Sequence, residues 1–177
     1  MCETSSYEYY RMNIKRSFRN DLVRTIAFLL QDICEENNIL NSRNDNLIEP
    51  FIGKNPRISI EDFLNKCLIY SNAESSTFII MLIYIDRLCE INNFIVNSLN
   101  VYRIIFSSFV IAIKYNEEKD FNNEFFSKLA GMSLTEMNLL ELIYLNLIDY
   151  KLYISDEDFL NYYENINDTI NCMFCCN

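Results

Sequence analysis

Residues 98–118 read SLNVYRIIFSSFVIAIKYNEE, and the positions from Ile104 to Ile113 hold only apolar residues and serines. No glycine or proline interrupts this stretch, and Lys114 ends it. A helix that is apolar around its whole circumference either lies at the centre of a bundle or places a second face against a partner. The stretch therefore predicts a helix that is central to a helical protein.

A second stretch of the same kind, LTEMNLLELIYLNLIDY at 134–150, holds Glu141 among leucines and isoleucines. In a small bundle only one helix can be buried on all sides. We therefore expect at least one of the two apolar helices to expose apolar side chains, which would mark an interaction site. A carboxylate in such a setting needs either a partner or an exposed face.

The rest of the chain favours helices, and no strand-type alternation of apolar and polar residues competes with them. With 177 residues, two glycines and two prolines, the chain fits a single all-α domain. Ser59 is a candidate N-cap, Ser133 and Glu136 form a candidate capping box, and Gly131 is a candidate C-cap. We expect helices near 18–39, 59–71, 75–91, 98–116, 122–130 and 133–148, and a short one from Ser155.

Composition argues against several classes of function. The net charge of −10 disfavours nucleic acid as a partner, because a phosphate footprint needs clustered basic residues. The chain has no histidine, no glycine-rich phosphate loop, and no serine or cysteine beside a plausible base. Carboxylate pairs such as Glu117–Glu118 fit solvated helix ends. We therefore expect no catalytic residue, no metal and no cofactor, and a protein that is not an enzyme.

The N-terminal residues lack a secretory signal, and no apolar run reaches the roughly 18 residues of a membrane span. We expect an intracellular protein of the cytoplasm, the nucleus or both. The cysteines in the helices fit buried apolar positions or free thiols of a reducing compartment. The tail NCMFCCN, with Cys172, Cys175 and Cys176, fits free thiols, acylation or metal binding, and we expect a disordered tail with free thiols.

Motifs in a fixed order connect these helices to a known family. A Phe-x-x-x-x-Pro-x-Ile-x-Ile segment precedes the helix at 59–71, a Tyr-x-Asp-Arg signature lies at 84–87, and Asn-Val-x-Arg begins near residue 100. An Ala-x-Lys-aromatic end and a Glu-x-Asn-x-x-Glu pattern follow. The matching residues are Phe51, Pro56, Ile58, Ile60, Tyr84, Asp86, Arg87, Asn100, Val101, Arg103, Ala112, Lys114, Tyr115, Asn123, Gly131, Glu136, Asn138 and Glu141.

This series resembles the cyclin box, and most of all the P/U-type cyclins, the group named for phosphate-pathway regulation. The resemblance covers about residues 20–160. It implies a single cyclin-box bundle of five helices with an additional N-terminal helix. We therefore expect a tail at 1–17, a helix and loop at 18–55, the box at 56–152, and a C-terminal helix with a cysteine-containing tail at 153–177. A second cyclin fold does not fit after the box.

The resemblance implies a regulatory subunit that forms a heterodimer with a cyclin-dependent protein kinase. In cyclins the lysine of the third box helix and the glutamate of the fifth bind the kinase, and these are Lys114 and Glu141 here. By position, Tyr115, Leu145 and Tyr150 would supply apolar contact. The competing interpretation of Lys114 is a helix-end lysine that extends to water. A cyclin fold that binds a non-kinase partner is the alternative function.

Two further expectations come from the family. The signature aspartate of cyclins pairs with a basic residue of the first box helix, which implies a buried structural ion pair between Asp86 and Lys66. Asn72 stands where A-type cyclins have the tryptophan of their substrate-docking groove, so we do not expect that groove to work in the usual way. The kinase, its substrates, and a cell-cycle or nutrient-linked role are left open by the sequence.

Overall fold

The computed structural model describes residues 16–40, 48–53 and 57–174. Within these ranges the chain forms seven α-helices and no strand, which confirms the all-α class. A short 3-10 turn, Glu49–Phe51, lies between the first two helices. The helices are α1 (Arg16–Leu40), α2 (Ile60–Ser71), α3 (Ser75–Asn92), α4 (Val101–Asn116), α5 (Asn123–Ala130), α6 (Leu134–Leu147) and α7 (Asp156–Phe174).

Helix α4 is the central helix that its sequence predicts. Every residue from Ile104 to Ile113 is buried. Its phenylalanines pack against three neighbours: Phe106 lies 5.9 Å from Phe63 of α2 and 6.3 Å from Phe126 of α5, and Phe109 lies 5.4 Å from Phe78 of α3, between ring centroids. Aromatic contacts of this kind add to the free energy of burying the rings. The core is therefore organised around α4.

Helix α6 is the apolar helix that stays at the surface. Only Met137, Leu140 and Tyr144 of this helix are buried. Leu134, Leu139 and Leu142 are about half exposed, at 46%, 47% and 52%. The expectation that one of the two apolar helices exposes apolar side chains is confirmed, and the exposed one is α6.

Helices α1 and α7 pack against each other and against α3, and their buried residues belong to the same core as α4. Phe18 of α1 and Tyr163 of α7 lie 5.8 Å apart between ring centroids. The expectation of a short C-terminal helix was wrong, because α7 has 19 residues. Its asparagines have low helix propensity, but Ile166 and Ile170 are buried, and this packing outweighs propensity.

The predicted caps at Ser59, Gly131 and Ser133 are confirmed. Ser59 accepts a hydrogen bond from the Asp62 N–H at 3.0 Å, and Ser133 accepts one from the Glu136 N–H at 3.1 Å. Gly131 ends α5 with φ of 72°, a left-handed conformation that glycine adopts at little cost. The capping box is only half formed, since the Glu136 carboxylate pairs with Arg103 instead of the cap.

Some expectations concern residues that lie outside the described ranges. These include residues 1–15 of the tail expected at 1–17, the proline at 56, and Cys175 and Cys176; residues 16 and 17 belong to α1 instead of the tail. Cys172, by contrast, is exposed within α7, so the helix extends into the expected tail. Across the described ranges, no helix has both the length and the hydropathy that crossing a membrane would require.

Candidate functional site

The two charges of the apolar helices meet at the surface between α4 and α6. The Lys114 Nζ lies 2.6 Å from the Glu141 Oε1, although 27 positions separate them in sequence. The lysine side chain is 30% exposed and the glutamate side chain 18%. The two residues are therefore adjacent, paired with each other and partly exposed.

Asn123, the first residue of α5, completes this cluster. Its side-chain oxygen accepts a hydrogen bond from the Lys114 Nζ at 2.6 Å. Its Nδ2 donates to the Glu141 Oε2 at 2.5 Å and to the Asn138 Oδ1 at 2.7 Å. Asn123 thus fixes both charged groups from a third helix. Asn123 belongs to the family motif, but its place in the sequence does not show that it joins this site. Its contacts with Lys114 and Glu141 depend on how α5 packs in the folded chain.

Apolar side chains surround the charged pair. Asn138, Glu141, Leu142 and Leu145 occur at helical spacings of three and four, so they share one face of α6. Leu142 is half exposed and Leu145 is partly buried. Tyr115, next to the lysine, is 52% exposed at the end of α4. We call this surface the α4–α6 face; Lys114, Tyr115, Asn123, Asn138, Glu141, Leu142 and Leu145 define it.

Tyr150 lies just beyond α6 in an unusual turn. Asp149 and Tyr150 have φ of 52° and 54°, in the left-handed region that residues with side chains seldom adopt. The Tyr150 N–H donates to the Leu145 carbonyl at 2.9 Å, which closes the turn onto the helix. The tyrosine is 55% exposed. The turn therefore presents an aromatic ring to solvent beside the last turn of α6.

The Tyr-x-Asp-Arg signature of α3 holds the segment that follows α6. The Tyr84 hydroxyl donates to the Leu152 carbonyl at 2.9 Å, and Arg87 donates to the Lys151 carbonyl at 2.6 Å. Both bonds fix the backbone next to Tyr150. Two side chains of the α3 signature therefore help to position Tyr150, one of the predicted interface residues. The spacing of the residues in the sequence did not reveal this contact.

The expected ion pair between Lys66 and Asp86 is not present, and this expectation is corrected. Asp86 is exposed on α3 and accepts a hydrogen bond from the Tyr162 hydroxyl of α7 at 2.6 Å. Within the described ranges, neither Asp86 nor Lys66 has an ion-pair partner. The physical reason is that α7 packs on this part of α3 and brings a donor to the aspartate. Asp86 serves to hold α7.

Glu117 also differs from expectation, because it is not a solvated helix-end carboxylate. Its side chain is 2% exposed and pairs with Lys119 at 2.5 Å. It accepts hydrogen bonds from the Glu74 N–H, at 3.0 Å, and from the Thr77 hydroxyl. Lys119 in turn donates to the carbonyls of Ser71 and Asn72. This buried cluster, which we call the Glu117 latch, ties the end of α2 and the start of α3 to the end of α4.

Arg103 forms a second polar contact, which is partly buried, on another side of α4. It donates to the Pro50 carbonyl at 2.7 Å and pairs with Glu136 of α6. It passes directly over Gly53, where an added Cβ would lie 2.8 Å from the Arg103 Nε. A cavity of about 640 Å³ opens beside these residues. The contact links the 3-10 turn to α6, and it explains why a glycine occupies position 53.

No group of three or more candidate metal ligands occurs in the part of the chain that the structure describes. Burial raises the pKa of Cys34 and Cys89 to about 11 and that of Cys67 to about 12, so all three thiols stay protonated near neutral pH. These thiols act as apolar core groups. In the clusters around Lys114 and Glu117, carboxylate, amide and ammonium groups bind one another.

Helix α6 exposes apolar side chains, and a charged pair lies on the same surface; surfaces of this kind are typical of protein-interaction sites. Comparison with known families gives the class a name: a sequence profile of the cyclin family matches residues 4–152. The chain therefore belongs to the cyclin family. The resemblance that the motifs indicated is confirmed.

Individual relatives narrow the group. The chain is 34% identical over 142 residues to Cyclin-U4-3 of Arabidopsis thaliana, which is 80% of this chain and 64% of that protein. It is 35% identical over 107 residues to Cyclin-P3-1 of Oryza sativa subsp. japonica, covering 60% and 45% of the two chains. It is 36% identical over 115 residues to the PHO85 cyclin-like protein psl1 of Schizosaccharomyces pombe, covering 63% and 47%. These similarities agree with a P/U-type cyclin.

The alignments to these three relatives each span less than two thirds of the relative's own length. The similarity to Cyclin-U4-3 nevertheless covers four fifths of this chain. The family profile, which matches residues 4–152, includes the helices that build the α4–α6 face.

Proposed function

We propose that this protein is a regulatory, activating subunit of a cyclin-dependent protein kinase and that it binds the kinase through the α4–α6 face. The observation that carries the proposal is the Lys114–Glu141 pair, which is partly exposed and lies among exposed apolar side chains. Apolar surface of this kind is expensive to leave in water and is typical of a covered site. Membership in the cyclin family supplies the class of partner.

The charged pair and the apolar groups would have different tasks at such an interface. Burial of Tyr115, Leu142, Leu145 and Tyr150 would provide most of the binding free energy. The lysine retains one N–H donor and the glutamate retains lone pairs, because each group makes two hydrogen bonds in the isolated chain. They can therefore bind backbone groups of the kinase and select its register.

The proposed mechanism is allosteric. The α4–α6 face would bind the regulatory helix region of the kinase and hold it inward, which lets the kinase assemble its Lys–Glu pair and metal-binding aspartate. The cyclin contributes binding free energy that differs between two kinase states, and no catalytic group of its own. The protein would act where the kinase acts, in the cytoplasm or the nucleus. The phosphorylation that it controls would be linked to the cell cycle or to nutrients.

A double charge reversal tests the proposal. Lys114→Glu combined with Glu141→Lys keeps an internal pair of opposite charges, so the fold should persist with an unchanged circular dichroism spectrum. Kinase capture from a lysate and stimulation of the captured kinase should both be lost, since an acceptor now faces the carbonyl groups that the lysine would bind and a donor faces the N–H groups that the glutamate would bind. The matched control is Glu61→Gln, which removes one charge of the exposed Arg24–Glu61 pair between α1 and α2.

The outcomes separate two classes of function. Kinase capture that survives the reversal while another partner is lost would favour a cyclin-fold adaptor, and would contradict kinase binding through this face. A captured kinase whose activity does not rise in the presence of this protein would contradict the activating role.

A further inference from the structure

A second surface feature lies away from the α4–α6 face, in the cleft where α1, α3 and α7 meet. The cleft has a volume of about 710 Å³, within the range of roughly 300–1,000 Å³ that is typical of small-molecule sites. It is lined mainly by apolar side chains from all three helices and from the loop after α3. Among them are Leu29 and Ile33 of α1, Ile85 and Cys89 of α3, and Ile166 of α7.

The cleft has few polar lining residues, and one of them carries a negative charge. Asn37, Asp86, Tyr162 and Asn165 are the polar residues of the wall, and Asp86 alone among the lining residues is a charged group. The Asn37 amide is already engaged, since it donates to the Val96 carbonyl at 2.8 Å. The cleft therefore combines a large apolar surface with a single anionic position.

Asp86 lacks a cationic partner in the described part of the chain. Its hydrogen bond from the Tyr162 hydroxyl, at 2.6 Å, satisfies one oxygen and leaves further acceptor positions. The neighbouring cation, Arg87, is directed elsewhere: it donates to the Lys151 carbonyl and lies 5.9 Å from the centre of the Tyr84 ring. Glu90, one turn along α3, adds negative potential.

The environment penalises the carboxylate in its charged form. Desolvation, partly opposed by the Tyr162 hydrogen bond, and the nearby Glu90 charge raise the pKa of Asp86 above its ordinary value. A cation placed beside the carboxylate would relieve this penalty, because opposite charges at close range favour the ionised form. The thiol of Cys89, whose pKa burial raises to about 11, stays neutral and counts as apolar lining.

We propose that the cleft between α1, α3 and α7 is a binding site for a small apolar ligand that carries one cationic group, with Asp86 as its counter-ion. The apolar body of the ligand would fill the space between Leu29, Ile85 and Ile166. Its ammonium group would lie against the Asp86 carboxylate, next to the Tyr162 hydroxyl. The site is separate from the proposed kinase interface and does not depend on it.

The test uses two probes of matched shape, 1-adamantylamine and 1-adamantanol, titrated into the isotopically labelled chain by NMR. The amine should shift the backbone amides of cleft residues and bind about tenfold more tightly than the alcohol, since a charge-assisted contact is stronger than a neutral one. Asp86→Asn should remove the difference between the two probes. Glu124→Gln, which changes an exposed carboxylate of α5 outside the lining, should retain it.

A second variant, designed to block the cleft, keeps the proposal testable if Asp86→Asn does not fold. Ile33 lines the cleft and is 42% exposed, so Ile33→Trp adds bulk at the mouth without filling the core. This variant should keep its circular dichroism spectrum and lose binding of both probes. Equal affinity of wild type for the amine and the alcohol, no detectable binding of either, or unchanged binding by the Ile33 variant would each overturn the proposal.

Discussion

Glu117→Ala should be among the most destabilising single substitutions at a charged position of this chain. The glutamate side chain is 2% exposed and has three partners: the Lys119 ammonium group, the Glu74 N–H and the Thr77 hydroxyl. Alanine removes the acceptor for all of them at once. It also leaves space beside the end of α2 and the start of α3, which the glutamate joins to the end of α4.

The magnitude follows from the burial of each partner. Removing one member of a buried ion pair costs about 3–5 kcal/mol, because the other charge loses its compensation. Lys119 limits this cost, since it is 26% exposed and retains its bonds to the carbonyls of Ser71 and Asn72. The Glu74 N–H at the start of α3 loses an acceptor, which adds about 1–3 kcal/mol. We therefore expect a total loss of about 3–5 kcal/mol, a large share of the 5–15 kcal/mol typical of domains.

Urea unfolding followed by circular dichroism measures this loss as a lower midpoint at an unchanged slope. Glu118→Ala is the matched control: the neighbouring glutamate is exposed, so its removal should change the free energy of unfolding by no more than about 0.5 kcal/mol. Glu117→Gln retains an acceptor but loses the charge, and should fall between the two. Equal midpoints for Glu117→Ala and Glu118→Ala would refute the reasoning.

Three further predictions concern binding, backbone conformation and pH. Leu142→Asp should weaken kinase binding at least about 30-fold in a titration, whereas Ile39→Asp on α1, where the isoleucine is 81% exposed, should leave it unchanged. Gly131→Ala should lower the free energy of unfolding by about 1 kcal/mol, because alanine is strained at a φ of 72°. The new Cβ would meet nothing within 4 Å, so no steric clash adds to this cost. An unchanged free energy of unfolding would contradict the prediction. Asp86 has a raised folded pKa, so its stabilising contribution is present below its ordinary pKa of 3.8 and is lost as the pH rises through the folded value. Asp86→Asn should therefore gain stability relative to wild type as the pH of a urea series rises above 3.8, and a parallel pair of pH profiles would contradict the raised pKa.

The central helix and the site pair were predictable because local pattern and tertiary role agree there. An all-apolar run without glycine or proline has few stable positions other than the core, and α4 occupies one. Lys114 and Glu141 were placed together through the family motif, and their 2.6 Å contact agrees with that placement. The limited room at the centre of a small bundle predicted that at least one of the two apolar helices would be exposed, without saying which.

The errors occurred where a distant segment changed the surroundings of a residue. Asp86 was expected to pair with Lys66, but the sequence did not show that α7 would bring Tyr162 to it. Glu117 looked like a solvated helix-end residue, yet the start of α3 covers it and supplies its partners. In both cases the helix that carries or precedes the residue was predicted correctly, but the groups that bind its carboxylate were not.

The sequence by itself determined the helices, their caps and the family, because these depend on periodicity, capping residues and motifs that are local in the chain. Only the tertiary structure decided which of the two apolar helices stays exposed, which carboxylate is buried, and which polar groups meet. Those outcomes depend on contacts between segments far apart in sequence, such as Asn123 with Glu141 and Tyr162 with Asp86. The burial of a charge is set by what covers it, and a linear pattern does not contain that information.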